Sequence, residues 1–276
     1  MTIRPLVLKF GGELIEDAAR LKTVVAAVAA AAGRTPLVLI HGGGREIDAA
    51  LKTAGIEKRQ VDGLRVTDEA TLDVVVAVLA GTVNTRFVAA LNTAGVPAVG
   101  LTGADARCGV SERAPAHRGV DGRTVDLECV GLPSSRSDPR LLTALLRDGF
   151  VPVVASIGLG EDGQLFNVNA DTFAGHLAAR LGARRLVVAG TTPGVLGEHG
   201  DTLPLVESNA IERMVTNGTA TAGMIAKLRA CEHALAGGVE DVLIVDGRDG
   251  GAIEAAAAGG VPAAATRLVA RVTQTT

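Results

Sequence analysis

At 276 residues the chain can hold one large domain or two lobes around a sizeable core, and 47% hydrophobic content excludes a disordered chain. A net charge of −3, five Phe, no Trp and no Tyr supply neither the basic footprint of a duplex binder nor the stacking platform of a single-strand binder. Three cysteines without metal-ligand spacing, Cys108, Cys129 and Cys231, fit reduced thiols better than a disulfide scaffold.

Met1 to Pro5 leads straight into a strand-like run with no signal-peptide core. The apolar stretch Val24 to Ala32 is too short to cross a bilayer. A soluble cytoplasmic protein is expected, with no membrane and no nucleic-acid partner. Leu6 to Phe10 reads as a buried strand closed by the turn Gly11-Gly12, and Glu16 to Ala31 as a helix ended by Gly33. Leu37 to Ile40 is a second strand. His41-Gly42-Gly43-Gly44 follows it, then a helix from Arg45 to Ala54. Gln60 to Thr67 reads as a loop, and Asp68 as the N-cap of a long helix through Val83 to Leu91. Pro97 to Leu101 is a strand, residues 102 to 137 are hairpins and loops, and a helix runs from Asp138 to Arg147. Strands at Phe150 to Ala155 and Arg185 to Ala189 flank a turn at Gly158 to Gly163 and a helix at Asp171 to Leu181. Gly200-Asp201 marks a turn. Helices at Asn209 to Val215 and Met224 to Ala236, a strand at Val242 to Val245, a helix at Gly251 to Ala258 and one or two strands in Ala264 to Val272 complete the chain.

Strand–helix alternation of this kind predicts an α/β fold, an open and mainly parallel central sheet sandwiched by helices. In such sheets ligands collect at the C-terminal ends of the strands. Four polar or Gly-rich turns fall there: Gly11-Gly12, His41 to Gly44, Ser156 to Gly158 and Gly190 to Gly194. Glycine tolerates positive φ and lets a ligand approach the backbone, and a helix start offers unpaired N–H groups. The triple glycine is therefore either a plain tight turn or an anion site.

Other nucleotide signatures are missing. No G-x-x-x-x-G-K-[ST] loop occurs, and Gly158-Leu159-Gly160-Glu161-Asp162-Gly163 leads into a strand and not a helix, so it reads as a hairpin turn. No G-x-S-x-G elbow and no H-E-x-x-H pair appear, and His41 reads as packing its own turn. Only five of 27 basic residues are lysine. Lys9 ends an apolar strand, where a buried charge needs a partner. Lys227 follows Gly223-Met224 near a helix start. Asn167-Val168-Asn169-Ala170-Asp171 is either a helix cap with Asx turns or a substrate clamp. Arg65 is either a solvated loop arginine or a bidentate partner for a carboxylate.

In order along the chain, Leu8-Lys9-Phe10-Gly11-Gly12, His41 to Gly44, Gly63-Leu64-Arg65-Val66-Thr67, Leu79 to Asn84, Ala98 to Leu101, Asn167 to Asp171, Pro193 to Leu196 and Gly223 to Lys227 resemble the amino acid kinase family. Within that family the match is to members that phosphorylate N-acetyl-L-glutamate. The resemblance implies ATP-dependent transfer, with Mg²⁺, to the γ-carboxylate of that substrate in arginine biosynthesis. It gives Lys9 and Lys227 the phosphate charge, Asp171 the task of orienting both, and Gly11, Gly43 and Gly44 the donation of backbone N–H groups. Gly43, Gly44, Arg65 and Asn167 would hold the acylated amino acid. Lys9, Gly11, Gly12, Thr191, Gly194, Met224 and Lys227 would contact the nucleotide, and no side chain is assigned to a metal.

Residues 1–170 would form the lobe that binds the amino acid and dimerises, and residues 171–276 the ATP lobe. Gly190-Thr191 stands where the family often has Thr-Asp, which removes a carboxylate beside the nucleotide, and Asn84-Thr85 stands where Asn-Lys is common. With the first strand starting by Pro5, a homodimer without arginine feedback is expected. Alternatives are the same reaction on N-succinylglutamate or an aminoadipate derivative, or a non-catalytic sensor of the same fold.

Overall fold

The computed structural model describes residues 3–119, 122–197, 200–216 and 222–270. In chain order, β1 (Leu6–Phe10), α1 (Gly12–Ile15), α2 (Ala18–Ala32), β2 (Leu37–His41) and α3 (Gly44–Thr53) open the fold. The hairpin β3 (Gln60–Val61) and β4 (Leu64–Arg65) precedes α4 (Glu69–Val76), a π-helical stretch Ala77–Val83, α5 (Asn84–Thr93) and β5 (Ala98–Thr102). Then come β6 (Ser111–Arg113), β7 (His117–Arg118), β8 (Thr124–Val125), β9 (Val130–Pro133) and α6 (Arg140–Arg147). β10 (Val151–Ala155), β11 (Ile157–Leu159), β12 (Leu165–Val168), α7 (Ala170–Arg180) and β13 (Arg185–Gly190) follow. Finally β14 (Leu205–Glu207), α8 (Ser208–Thr216), α9 (Ala222–Ala236), β15 (Asp241–Asp246), α10 (Gly250–Ala257) and β16 (Thr266–Val269) close the chain.

One eight-stranded sheet in the order β14-β16-β15-β13-β1-β2-β10-β5 runs through both halves. Its strands are parallel from β15 to β5, and β16 pairs antiparallel with β15. Strand alternation sorts the core. Leu6, Leu8, Phe10, Leu37 and Leu39 pack with α1, α2 and α5 on one face. Val7, Val38 and Ile40 pack with α6, α7 and α9 on the other. A second sheet, β11-β12-β9-β6, and two small hairpins overhang one end.

Four expectations change. The first helix is two pieces, because Gly12 is already helical and Asp17 caps α2 by accepting from Arg20 N. Residues 60–67 are a hairpin and not a loop: Asp62 and Gly63 both take positive φ, 47° and 80°, the mirror-image turn that suits two-residue hairpins. The long helix after Asp68 carries seven π-helical residues, Ala77–Val83, around Gly81. Glu69–Thr93 is also long and apolar enough to span a bilayer, a feature the shorter run at Val24 concealed. Here Leu72, Val75, Leu79, Val83, Phe87 and Leu91 are buried, as in a core helix. Of the strands expected in Ala264 to Val272, one is described, Thr266–Val269; residues beyond 270 lie outside the described part.

Candidate active site

Lys9 is the fourth residue of β1, level with Ile40 of β2 and Val188 of β13. Alternation puts it on the face of Val7, toward α7 and α9. There its Nζ lies 2.9 Å from Asp171 Oδ1, and Lys227 Nζ lies 3.8 Å from the same oxygen. The three side chains are only 8, 12 and 13% exposed for Lys9, Asp171 and Lys227. Two cations around one anion leave a surplus positive charge in a partly dry site. Burial pushes the Asp171 carboxyl up, but Lys9 and then Lys227 outweigh it and hold the group below the usual carboxylate range. Burial foremost, then Lys9, pushes Lys227 below the usual lysine value against the pull of Asp171.

Asp171 is set by its helix. Asn169 caps α7, its side chain accepting from Asp171 N at 3.0 Å and Thr172 N at 3.1 Å. The segment thus caps the helix through Asn169 and partners the two lysines through Asp171.

The glycine turns meet beside this cluster. A Cβ on Gly12 would lie 2.7 Å from Gly43 Cα, and one on Gly43 2.9 Å from Leu79 Cδ2. None of Gly11, Gly12, Gly42, Gly43 and Gly44 has positive φ. Close approach of neighbouring segments, and not a left-handed backbone, is what excludes a side chain at Gly12 and Gly43. Gly43 caps α3 without a side-chain bond, and the Glu16 carboxylate faces the first turn of the helix at the Glu46 backbone N–H and Arg45.

A cavity of about 280 Å³ is lined at this end by Lys9, Gly11, Gly12, Gly43, Gly44 and Asp171. Arg65 and Asn167 line it farther along. The Arg65 side chain is only 9% exposed, unlike that of a solvated loop arginine. Its Nη2 donates to Asp48 Oδ1 and, at 3.3 Å, to Gly44 O, while Nη1 is buried with no partner in the protein. Asn167 Nδ2 donates to Thr67 Oγ1 at 3.0 Å, which fixes the amide.

Thr191, Gly194 and Met224 do not line this cavity. Thr191 follows β13, half-buried. Gly194 packs on β16, where a Cβ would strike Thr266, and Thr266 Oγ1 accepts from Val195 N at 2.8 Å. Met224 packs against the α7–α9 core. A larger cavity of about 580 Å³ lies between β14 and α8, lined by Leu196, Leu203, Leu205 and Met214. It holds none of the three charged residues and is not the centre of the chemistry.

A family model described as the Amino acid kinase family matches residues 4–246. The chain belongs to the amino acid kinase family. Curated relatives named acetylglutamate kinase include one from Novosphingobium aromaticivorans, 39% identical over 260 residues, covering 89% of this chain and 84% of its own. Another, from Methanopyrus kandleri, is 41% identical over 243 residues, covering 87% of this chain and 94% of its own. Among solved structures, N-acetylglutamate synthase from Neisseria gonorrhoeae, complexed with coenzyme A and N-acetyl-glutamate, superposes with a TM-score of 0.80 at 25% identity. It matches 97% of this chain, which spans 59% of that longer protein.

Within this amino acid kinase chain, sequence reasoning missed several residues around the site. Asp48 grips Arg65; burial opposes its ionisation, but Lys58 and Arg65 hold its carboxyl low. Thr67, fully buried, orients Asn167 from 100 residues away. Glu13 lines the cavity, and a side chain on Gly11 would strike its carboxylate. Only Glu13, next to Gly11-Gly12, had a local signal.

Proposed function

We propose that the protein is an ATP-dependent kinase that phosphorylates the γ-carboxylate of N-acetyl-L-glutamate to N-acetyl-L-glutamyl 5-phosphate in arginine biosynthesis. The observation that carries the reading is the buried Lys9–Asp171–Lys227 cluster beside two touching glycine turns. The names of the curated relatives supply the acceptor.

The chemistry suits the residues. A carboxylate acceptor is ionised at pH 7, so transfer needs no general base. One carboxylate oxygen forms a bond to the γ-phosphorus as the bond to the β–γ bridging oxygen breaks, and ADP leaves with that electron pair. No proton moves. Catalysis then rests on positioning and charge neutralisation. Lys9 and Lys227 meet the phosphoryl charge, and Asp171 holds both ammonium groups in place. Gly11, Gly43 and Gly44 offer backbone N–H groups. The unpartnered Nη1 of Arg65 and the Thr67-oriented amide of Asn167 take the acceptor's polar groups. Gly12, Thr191, Gly194 and Met224 belong to the nucleotide side. Mg²⁺ would be held by the nucleotide's own phosphates, since no His, Cys, Asp and Glu cluster among the described residues could hold it, and would supply further charge neutralisation. Residues 1–170 serve as the acceptor lobe and 171–276 as the nucleotide lobe of a homodimer.

An ADP-release assay across acetyl-, succinyl- and free glutamate, aspartate and acetylated aminoadipate tests the substrate. Acetylglutamate should give the highest kcat/KM; a better acceptor among the others overturns the assignment. Lys9→Ala should lower kcat at least about 10²-fold, as loss of one oriented transition-state donor does. Near-full turnover in that variant sinks the mechanism.

A further inference from the structure

The turn Gly42 to Gly44 has no side chains of its own to hold it. We infer that His41 and Asn84, both buried and outside the cavity, are positioning residues that set the Gly42–Gly43 peptide and so aim the Gly43 N–H at the transferred phosphoryl group. The inference rests on the kinase reading for the role of Gly43.

Alternation along β2 sends His41 to the α5 side with Leu37 and Leu39, away from Lys9. The ring is fully buried and meets Phe87 edge-on, centroids 6.3 Å apart at 85°. Phe87 in turn meets Phe10 of β1 edge-on at 5.9 Å. The imidazole has little freedom to rotate.

Its proton is placed by counting donors. Asn84 Nδ2 donates to Val153 O at 2.9 Å. A carbonyl only accepts, so Asn84 must present its NH₂ there and not its oxygen. The second hydrogen of that NH₂ faces His41 Nε2 at 3.0 Å, so Nε2 must be bare. The ring proton therefore sits on Nδ1, and Nδ1–H donates to Gly42 O at 3.1 Å. Burial keeps the ring neutral, with its pKa lowered to about 4, so this arrangement persists through neutral pH.

The consequence reaches the site through one amide. In a trans peptide the C=O and the following N–H lie in one plane and point oppositely. Holding Gly42 O holds the direction of Gly43 N–H. Gly43 lines the cavity, while Gly42 O is tied to the core side. Gly100 makes room for the other end of the network: a side chain there would strike Asn84 Oδ1. The chain of control runs from the Val153 carbonyl to the Asn84 amide, the His41 tautomer and the glycine turn.

Two substitutions separate positioning from packing. His41→Asn puts an amide NH₂ where Nδ1 stood, keeping the donor to Gly42 O but losing Asn84. His41→Gln reaches Asn84 but cannot serve Gly42 O. A purely structural role predicts that activity follows stability. The inference predicts otherwise. His41→Gln should lose about tenfold or more in kcat with both KM values within about threefold, since an oriented donor acts mainly in the transition state. His41→Asn, although the less stable of the two, should recover kcat to within about threefold of the parent. Equal kcat in the two variants, or kcat ranked with melting temperature, overturns the inference. A second measurement needs no activity. The ¹⁵N spectrum of the imidazole in the unmutated protein should show protonated Nδ1 and bare Nε2, and a proton on Nε2 overturns the inference outright. If the protein releases no ADP with any acceptor, the kinase reading fails, and the tautomer result still stands or falls alone.

Discussion

Asp171 carries more of the site's electrostatics than either lysine, because it is the one anion between two buried ammonium groups. Asp171→Asn leaves Lys9 and Lys227 facing each other with only the weaker pull of Glu13 on Lys227 as counter-charge. Breaking one side of a buried pair costs roughly 3 kcal/mol or more. The kinetic signature is more specific. Burial and Lys9 already push Lys227 below the usual lysine value, and Asp171 opposes them. Without Asp171 the Lys227 pKa falls further. Transfer needs the ammonium form, so kcat declines as pH rises through that pKa. The alkaline limb of the kcat–pH profile should therefore move to lower pH in Asp171→Asn, measured at saturating substrates. An unmoved limb contradicts the role given to Lys227. The glycines give a second residue-scale test. A Cβ on Gly44 meets no protein atom within 4 Å, and Gly44 lines the cavity. Gly44→Ala should match the parent's stability within about 1 kcal/mol, since alanine suits a helix better than glycine, yet lose most activity by filling the phosphoryl space. Gly43→Ala should lose stability as well, because its Cβ meets Leu79 and Val83. Calorimetry beside the ADP assay separates the two, and equal melting losses would refute the contrast.

At the scale of elements, the β3–β4 hairpin is the least secured part of the acceptor end. It has two residue pairs, and its turn needs positive φ at Asp62 and Gly63. Gly63→Ala strains that turn by about 1 kcal/mol. Arg65 sits at its base, so KM for the acceptor should rise several-fold while KM for ATP holds. Parallel rises in both would show that the hairpin does not act on the acceptor alone. This hairpin also marks where the sequence stopped being legible. Asp62-Gly63 between Val61 and Leu64 is a recognisable two-residue turn, but the flanking strands Gln60–Val61 and Leu64–Arg65 are too short to show an alternation. The parallel sheet, the glycine turns and the Lys9 site were legible, because strand ends, Gly runs and a lysine closing an apolar strand are local signals. The π-helical insertion was not, since Glu69 to Thr93 has one continuous apolar period. Nor were Asp48, Thr67 and Asn84, whose partners lie 17, 100 and 43 residues away. Those pairings exist only once the sheet order is set.

For the molecule as a whole, one sheet joins both halves, so acid stress at any buried group weakens the fold on both sides. Two neutral histidines make this measurable. Burial lowers His41 from 6.5 to about 4, and burial, then His233 and Arg180, lowers His176 to about 4 as well. In the unfolded chain both rings bind a proton near pH 6.5. Between pH 6.5 and about 4 the unfolded state therefore holds more protons than the folded one, and stability falls with falling pH. Above 6.5 neither state is protonated there, and below about 4 both are, so the loss is confined to that window. Each ring accounts for roughly 3 kcal/mol across it. His176 tests the account without touching the site: it lies on α7 with Nε2 3.0 Å from Ser137 Oγ and stacks on His233. His176→Gln keeps a polar atom near Ser137 but cannot titrate. The variant starts less stable at pH 7 because it loses the ring packing on His233. Its further loss between pH 7 and pH 4, read from urea unfolding, should still be smaller than the parent's by roughly 3 kcal/mol. Parallel pH–stability curves for parent and variant would mean that His176 takes up its proton in the folded state, against the burial and the neighbouring charge that hold it neutral.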